Sequence, residues 1–292
     1  MIVSASRRTD IPAFYGEWLV RRLREGFAVA VNPMNPRQTR RVPLLPGQAG
    51  GLVLWSKNPR PLLDAPDAMR ALRGHAYYLQ FTLNAYGPEV EPGLPPLRER
   101  VDTLLRWAET VGRERVIWRY DPILLSGAYP AEFHLEHVEK LASALRGATG
   151  QVTVSFLDDY AKTRQRVAAL GARCPSREEA LALAPGLAAI ARAHGLRVAA
   201  CAEPLDLSAH GIERARCVDA GLLAAIGNRE ISGAKPDPNQ RPLCGCAPSV
   251  DIGAYNCCAH RCAYCYANAG AAAVERNSQR HDPKGAALLE PH

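Results

Sequence analysis

Short apolar runs alternate with longer amphipathic stretches through the first two thirds of the chain. Ile2–Ser6, Phe27–Val31, Leu52–Trp55, Tyr77–Leu83, Arg115–Tyr120, Val152–Phe156 and Arg197–Cys201 have strand length. Phe14–Glu25, Leu97–Thr110, Glu132–Leu145, Ala161–Leu170 and Arg177–Ala193 read as helices, the first with Trp18, Leu19 and Leu23 along one side. Strands joined by helices predict a parallel sheet under a helical layer. The strands are nearly continuous apolar runs, as expected when both faces are covered. Most of them end in polar residues: Ser6-Arg7-Arg8-Thr9-Asp10, Ser56-Lys57-Asn58, Asp121-Pro122, Asp158, Glu203-Pro204. Carboxyl ends of strands are where α/β barrels keep their chemistry. The pattern therefore predicts an α/β protein with a full or partial (β/α) TIM-like barrel over residues 1–205. An open doubly wound sheet would want a glycine-rich phosphate loop after an early strand, and the sequence has none. Residues 206–268 form a Cys-rich segment expected to close the barrel. Residues 269–292 form a polar C-terminal tail, expected to be loosely ordered from Glu275 onward.

The chain has 292 residues, enough to bury a sizeable core without disulfides. No apolar run reaches membrane-helix length, and no signal-peptide pattern opens the sequence, so the expectation is a cytoplasmic protein without a membrane partner. The net charge of +7 is concentrated. Residues 1–60 carry ten Lys/Arg against three acids, so the rest of the chain is neutral overall. Such a patch suits nucleic acid or a small anionic metabolite, and equally an ordinary solvated surface.

Nine cysteines lie at 174 and beyond, an odd and clustered set that argues for metal rather than disulfides. Cys258, Cys262 and Cys265 have the spacing C-x3-C-x2-C, with Tyr264 just before the last. Three close thiolates can hold three irons of a [4Fe–4S] cube, whereas structural zinc wants a fourth ligand, for which His260 or Cys257 is at hand. Cys201, Cys217, Cys244 and Cys246 remain for an auxiliary iron–sulfur cluster or a zinc ion, or as buried apolar residues. Among the strand-end residues, Arg119 and Asp121, two apart and so on one side of a strand, and Lys57 and Glu203 are the candidate catalytic groups. Trp18, Trp55, Trp107 and Trp118 read as core.

At Cys258, Cys262, Tyr264 and Cys265 the sequence resembles the radical S-adenosylmethionine superfamily. The stretch Cys-Ala-His-Arg-Cys-Ala-Tyr-Cys-Tyr-Ala is similar to the cluster loop of spore photoproduct lyase and its relatives. The landmarks SASRRTDIPAFY, NPMNP, WSKNP, QFTLN, WRYDPI, SFLDDY, CAEPLDL and CGCAPSVDIGAYNCCAHRCAYCYAN, over about residues 1–268, resemble an uncharacterised bacterial family with such a cluster at its C-terminal end. The resemblance implies a [4Fe–4S] cluster on Cys258, Cys262 and Cys265. It implies S-adenosylmethionine on the fourth iron, reductive cleavage by an electron donor such as flavodoxin or ferredoxin, and hydrogen abstraction from a substrate. In that superfamily the motif usually follows the first barrel strand, and here it lies near the C-terminus. A circular permutation reconciles the two. Val250–Tyr255 would be the strand before the cluster loop, Tyr266–Arg276 the helix after it, and Ile2–Ser6 the next strand. Arg7, Arg8, Thr9 and Asp10 would then face the methionine, Asp10 accepting from its amine and Arg8 pairing with its carboxylate. The alternatives are a zinc-binding structural or nucleic-acid-binding protein, and an iron–sulfur redox or sensor protein that does not cleave S-adenosylmethionine.

Overall fold

In a computed structural model of the chain, residues 1–228, 230–231, 235–241 and 243–291 are described. Their elements in chain order are β1 (Ile2–Ala5), α1 (Ile11–Phe14), α2 (Gly16–Glu25), β2 (Phe27–Val31), β3 (Thr39–Pro43), β4 (Gly51–Ser56), α3 (Arg60–Asp64), α4 (Pro66–Leu72), β5 (Tyr77–Thr82), α5 (Leu97–Val111), β6 (Val116–Ile123), α6 (Ala131–Ala144), β7 (Gln151–Phe156), α7 (Ala161–Ala169), α8 (Arg177–Ala193), β8 (Arg197–Ala200), β9 (Glu213–Arg214), α9 (Ala220–Gly227), β10 (Ser249–Asp251) and α10 (Ala271–Arg280).

Eight of the strands form one parallel sheet in the order β10-β1-β4-β5-β6-β7-β8-β9. From β1 to β9 the strands follow chain order without a reversal, which excludes the doubly wound alternative. β10 joins in parallel beside β1, with Ile2, Val3 and Ser4 opposite Ser249, Val250 and Asp251. β9 and β10 are the two edges, and among the described residues no strand ladder closes one onto the other. They are two and three residues long, too short for a ladder. Beyond them a backbone bond, Ala247 N to Val218 O at 2.8 Å, links the flanking segments.

The two faces of the sheet differ. Val3, Leu52, Leu54, Leu79, Phe81, Trp118, Val154 and their neighbours pack against the helices in the main core, where Trp18, Trp107 and Trp118 are wholly buried. Truncating any of these three would cost about 3–5 kcal/mol. The alternate residues face the other way. Ile2, Val53, Tyr78, Ile117 and Ala199 form a second core with Cys217, Val218, Leu223, Cys246 and Ala247. Segments on either side of α9 and before β10 thus cover the inner face of the sheet. Toward the carboxyl ends the inner residues turn polar: Ser4, Gln80, Arg119, Asp121 and Ser155.

Three local expectations are corrected. Phe27–Val31 is not in the parallel sheet but pairs antiparallel with β3. Asn32 turns the chain back, its Oδ1 accepting from Met34 N at 2.9 Å and its carbonyl from Asn35 N at 3.2 Å. The helix read from Phe14 to Glu25 starts at Gly16, and a separate short helix, Ile11–Phe14, precedes it, capped by Asp10, whose Oδ1 accepts from Ala13 N at 3.0 Å. The C-terminal tail is packed rather than loose. Gly285 O accepts from Trp18 Nε1 at 3.0 Å, Ala286 O accepts from Val29 N at 2.8 Å, and Ala287 and Leu288 are buried. Among the described residues no helix is long and apolar enough to cross a membrane.

Candidate functional site

The loop of residues 256–268 follows β10 and lies over the carboxyl end of the sheet, pinned from several sides. His260 is buried, its Nε2 2.8 Å from Asp10 Oδ2 and its Nδ1 3.1 Å from Gly93 O. Gly93 N donates to His260 O at 3.0 Å, and Ala263 N donates to Val90 O at 2.9 Å. A Cβ on Gly93 would stand 2.6 Å from His260 Cα, so the close approach of these two backbones requires glycine. Asn268 Nδ2 donates to Cys258 O at 2.7 Å, and Arg166 Nη2 donates to Cys265 O at 2.8 Å. Helix α10 begins at Ala271 rather than Tyr266 because residues 267–269 close the loop onto Asn256.

The three thiols of the motif share one neighbourhood. Burial pushes Cys258 up to about 12, with the Asp10 carboxylate and Cys265 adding to it. Burial drives Cys262 well up, Lys57 opposing and Glu91, Cys265 and Cys258 reinforcing. Cys258 and Cys262 therefore stay protonated until a cation binds, and a coordinated thiol loses its proton outright. The donor set therefore fits a thiophilic group. The surroundings fit as well: Thr9 Oγ1, Asn58 Oδ1 and Asn268 Oδ1 are buried with no hydrogen-bond partner. Among the described residues no three His, Cys, Asp or Glu side chains close around one metal ion. A cubane, held at its corners from outside, does not need that arrangement.

Beside the loop lies a buried ionic knot. Lys57 Nζ donates to Glu91 Oε1 at 2.9 Å and to Tyr264 OH at 2.7 Å, and Tyr264 OH donates to Glu91. Arg100 Nη1 reaches Glu91 Oε2 at 3.4 Å, and Asn84 Nδ2 lies 3.2 Å from Tyr264 OH. Burial would raise Glu91, but Lys57 and Arg100 hold it below the usual carboxylate range. Burial would lower Lys57, but Glu91 and Cys262 hold it above the usual lysine value.

A second network crosses the inner face of the sheet. Arg119 forks onto Asp121, Nε at 3.0 Å, and Ser155 Oγ donates to the same carboxylate. Arg119 Nη1 also lies 2.9 Å from Cys217 Sγ and 3.4 Å from Gln80 Oε1. Burial works against the charge of Asp121, and Arg119 and Ser155 bring it below its usual value. The other strand-end candidates stand nearby. Glu203 accepts from Phe156 N at 2.9 Å, and burial pushes it up to about 7. Asp158 is paired with Arg241 at 2.6 Å. Trp55 is half-buried rather than core, with Arg7 and Arg119 against its ring at 5.8 and 5.4 Å.

The structure brings Asp10 onto the cysteine loop and Arg7 and Arg8 against the segment that leads into it, with differing freedom. Both Asp10 oxygens are taken, Oδ1 by Ala13 N and Oδ2 by Lys57 N and His260. Arg7 spans to Gln240 Oε1 at 3.1 Å and Ser249 Oγ at 3.3 Å. Arg8 leans on the Tyr255 ring at 5.2 Å. The basic excess of residues 1–60 does not form one face. Arg40 and Arg41 sit on the exposed hairpin, Arg24 pairs with Asp67, Arg60 with Asp64, and Arg22 is buried.

Two residues at the heart of these networks escape sequence reading. Glu91 lies in a loop without periodicity. Asp251, at the end of β10, accepts from Ser4 Oγ at 2.9 Å, Ser6 Oγ at 2.6 Å and Arg7 N at 2.9 Å. Asp251 sits inside the stretch read as the strand Val250–Tyr255, but β10 is Ser249–Asp251 and ends on it.

A family model described as a domain of unknown function (DUF1848) matches residues 2–267. No curated protein and no solved structure matches the chain.

Proposed function

Because the chain belongs to the DUF1848 family, a domain of unknown function, its activity must be argued from the site, and we propose that it is a radical S-adenosylmethionine enzyme. The observation that carries this reading is the position of one loop. Cys258, Cys262 and Cys265, in the spacing C-x3-C-x2-C, lie over the carboxyl end of a parallel sheet, Cys262 buried and the other two half-buried, directly after the strand that pairs with β1. On this reading the sheet is a partial barrel, circularly permuted so that β10 is its first strand and β1 its second.

Cys258, Cys262 and Cys265 would hold a [4Fe–4S] cluster, which would supply the electron for reductive cleavage of S-adenosylmethionine and so the hydrogen abstraction. The chain's own residues do the rest. Asp10 and Gly93 fix the loop through His260. Thr9 Oγ1 and Asn58 Oδ1 are the polar atoms left for a ligand's amine and hydroxyl groups. Arg8 is the cation for a carboxylate. Lys57 and Tyr264, tied to Glu91, keep the base of the loop rigid and exclude water. Arg119, Asp121 and Glu203 border the space beneath, on the side a substrate would occupy. A one-electron donor of the flavodoxin or ferredoxin kind would reach the loop from outside. The spread of basic residues favours a small anionic substrate over a nucleic acid, which would want one continuous basic face.

The test is iron, sulfide and S-adenosylmethionine cleavage on anaerobically purified protein. Binding of about four irons with matching sulfide, and 5′-deoxyadenosine release under reduction, supports the reading. Each of Cys258→Ala, Cys262→Ala and Cys265→Ala should abolish cleavage. A protein that takes up no iron on reconstitution, or whose cluster is blind to S-adenosylmethionine, overturns it in favour of the structural zinc or redox alternatives.

A further inference from the structure

Four cysteines outside the cluster loop converge from three stretches of chain. Cys201 follows β8, Cys217 follows β9, and Cys244 and Cys246 precede β10. Cys217 Sγ lies 3.3 Å from Cys201 Sγ. Cys246 is in thiol contact with Cys217 on one side and Cys244 on the other. None is in a disulfide.

We propose that Cys201, Cys217, Cys244 and Cys246 form a structural site for one zinc ion. Four sulfurs from one chain, meeting pairwise in a row, are a donor set for a soft cation, although as they stand no three of them close around one point. Spacing decides between the metals. With Zn–S bonds of about 2.3 Å, tetrahedral sulfurs stand about 3.8 Å apart. A 3.3 Å contact is close to that edge, whereas the thiolates around an iron–sulfur cube stand farther apart, so zinc asks for the smaller rearrangement. The sulfurs now run as a chain of contacts, Cys201 to Cys217 to Cys246 to Cys244, and an ion would draw them into a tetrahedron.

The supporting shell is already in place. Arg119 Nη1 points at Cys217 Sγ from 2.9 Å, and Val218 N donates to Cys246 Sγ at 3.3 Å. Both would stabilise thiolates. Gly245, between the two closest ligands, stands with its Cβ position 3.2 Å from Ala215 O, so the turn is pressed against the strand-side segment. Cys244 lines a surface cleft with Arg214, Arg216 and Asp219, which gives the ion a way in. The site also has a structural purpose. Cys201 and Cys217 flank edge strand β9, and Cys244 and Cys246 lead into edge strand β10. A zinc ion would therefore join the two edges that backbone pairing leaves open.

The experiment counts zinc and iron in the full chain and in the triple variant C258A/C262A/C265A, both purified under reducing, anaerobic conditions with both metals supplied. About one zinc per chain is expected in both proteins, with no iron in the triple variant. Cys217→Ser and Cys246→Ser should each lose the zinc. If those variants fail to fold, cobalt loaded into the intact triple variant should give the visible bands of tetrahedral thiolate coordination. Retention of iron and sulfide by the triple variant, or no zinc and no cobalt spectrum, overturns the proposal. The zinc count is independent of the radical chemistry, since a full chain without iron but with zinc defeats only the latter.

Discussion

Asp10 and His260 stand 250 residues apart in the chain and 2.8 Å apart in the structure, both buried. The contact joins the end of β1 to the loop after β10, so the first and last parts of the chain share one site. Burial would raise Asp10, yet His260, Ser56 and Lys57 N hold it below its usual value. Asp10→Ala removes this contact and the cap of α1 together and should cost about 3–5 kcal/mol in urea unfolding. Asp10→Asn keeps an acceptor for Ala13 N and should cost less. Both should speed loss of iron from the reconstituted protein, followed by absorbance during chelation. Iron loss at the unaltered rate in both variants would show that the loop does not depend on this contact.

Glu91 is the one carboxylate facing Lys57, Arg100 and Tyr264 together. Glu91→Gln leaves the buried Arg100 without its carboxylate and the half-buried Lys57 with only the more distant Asp121, and about 3 kcal/mol of stability should be lost. Tyr264→Phe removes one hydroxyl from the same knot and should cost about 1–2 kcal/mol. Urea titrations of the three proteins compare these losses. Equal stability of Glu91→Gln and the parent would mean that the ion pairs contribute nothing net.

His134 is wholly buried, and its bonds fix the neutral ring. Nε2 donates to Leu124 O at 2.8 Å, and Nδ1 accepts from Tyr120 OH at 2.9 Å. Burial lowers it from 6.5 to about 4. The folded-state value lies below the unfolded one, so the stabilisation is complete above the unfolded value and is lost as pH falls toward the folded value. Between pH 7 and pH 5 the loss should be about 2 kcal/mol. His134→Gln should be weaker at pH 7 and should lack this component of the pH dependence. Parallel slopes for the two proteins would assign the acid sensitivity elsewhere.

The parallel sheet is legible in the sequence because buried strands and helices differ in length and period, and the helix Arg177–Ala193 is read to the residue. The polar residues after the strands at Lys57 and Glu203 are legible for the same reason, whereas the strand read as ending at Tyr120 runs on through Asp121 to Ile123. Their partners are not. Glu91 is 34 residues from Lys57, in a loop whose composition carries no period. β2 reads as one more sheet strand because its apolar run is like the others, and only its pairing with the Arg-rich Thr39–Pro43 places it outside. The packed tail is missed because Gly285, Ala286 and Lys284 contribute backbone carbonyls, which composition does not reveal. The sulfur contacts of Cys201 and Cys217 are likewise set by the meeting of β8 and β9 alone.

Cys257 adjoins Cys258 in sequence but not in environment. It packs in the main core on the helix side of the sheet, whereas Cys262 and Cys265 pack with Tyr86 and Tyr264 in a separate cluster. Its Sγ lies 3.4 Å from Tyr255 O, and its carbonyl accepts from Tyr15 OH at 2.7 Å. Burial pushes the thiol up to about 11, so it stays protonated at neutral pH. Cys257 therefore acts as a small apolar residue. Cys257→Ala should keep the full iron content of the parent and lose about 1 kcal/mol of stability, the value of one small buried group. Cys258→Ala should lose the iron with little change in the packing around Tyr15. Iron analysis of the two variants reads the difference directly. Loss of metal in Cys257→Ala, with zinc in place of iron in the parent, would instead make Cys257 the fourth ligand of a zinc site in the loop.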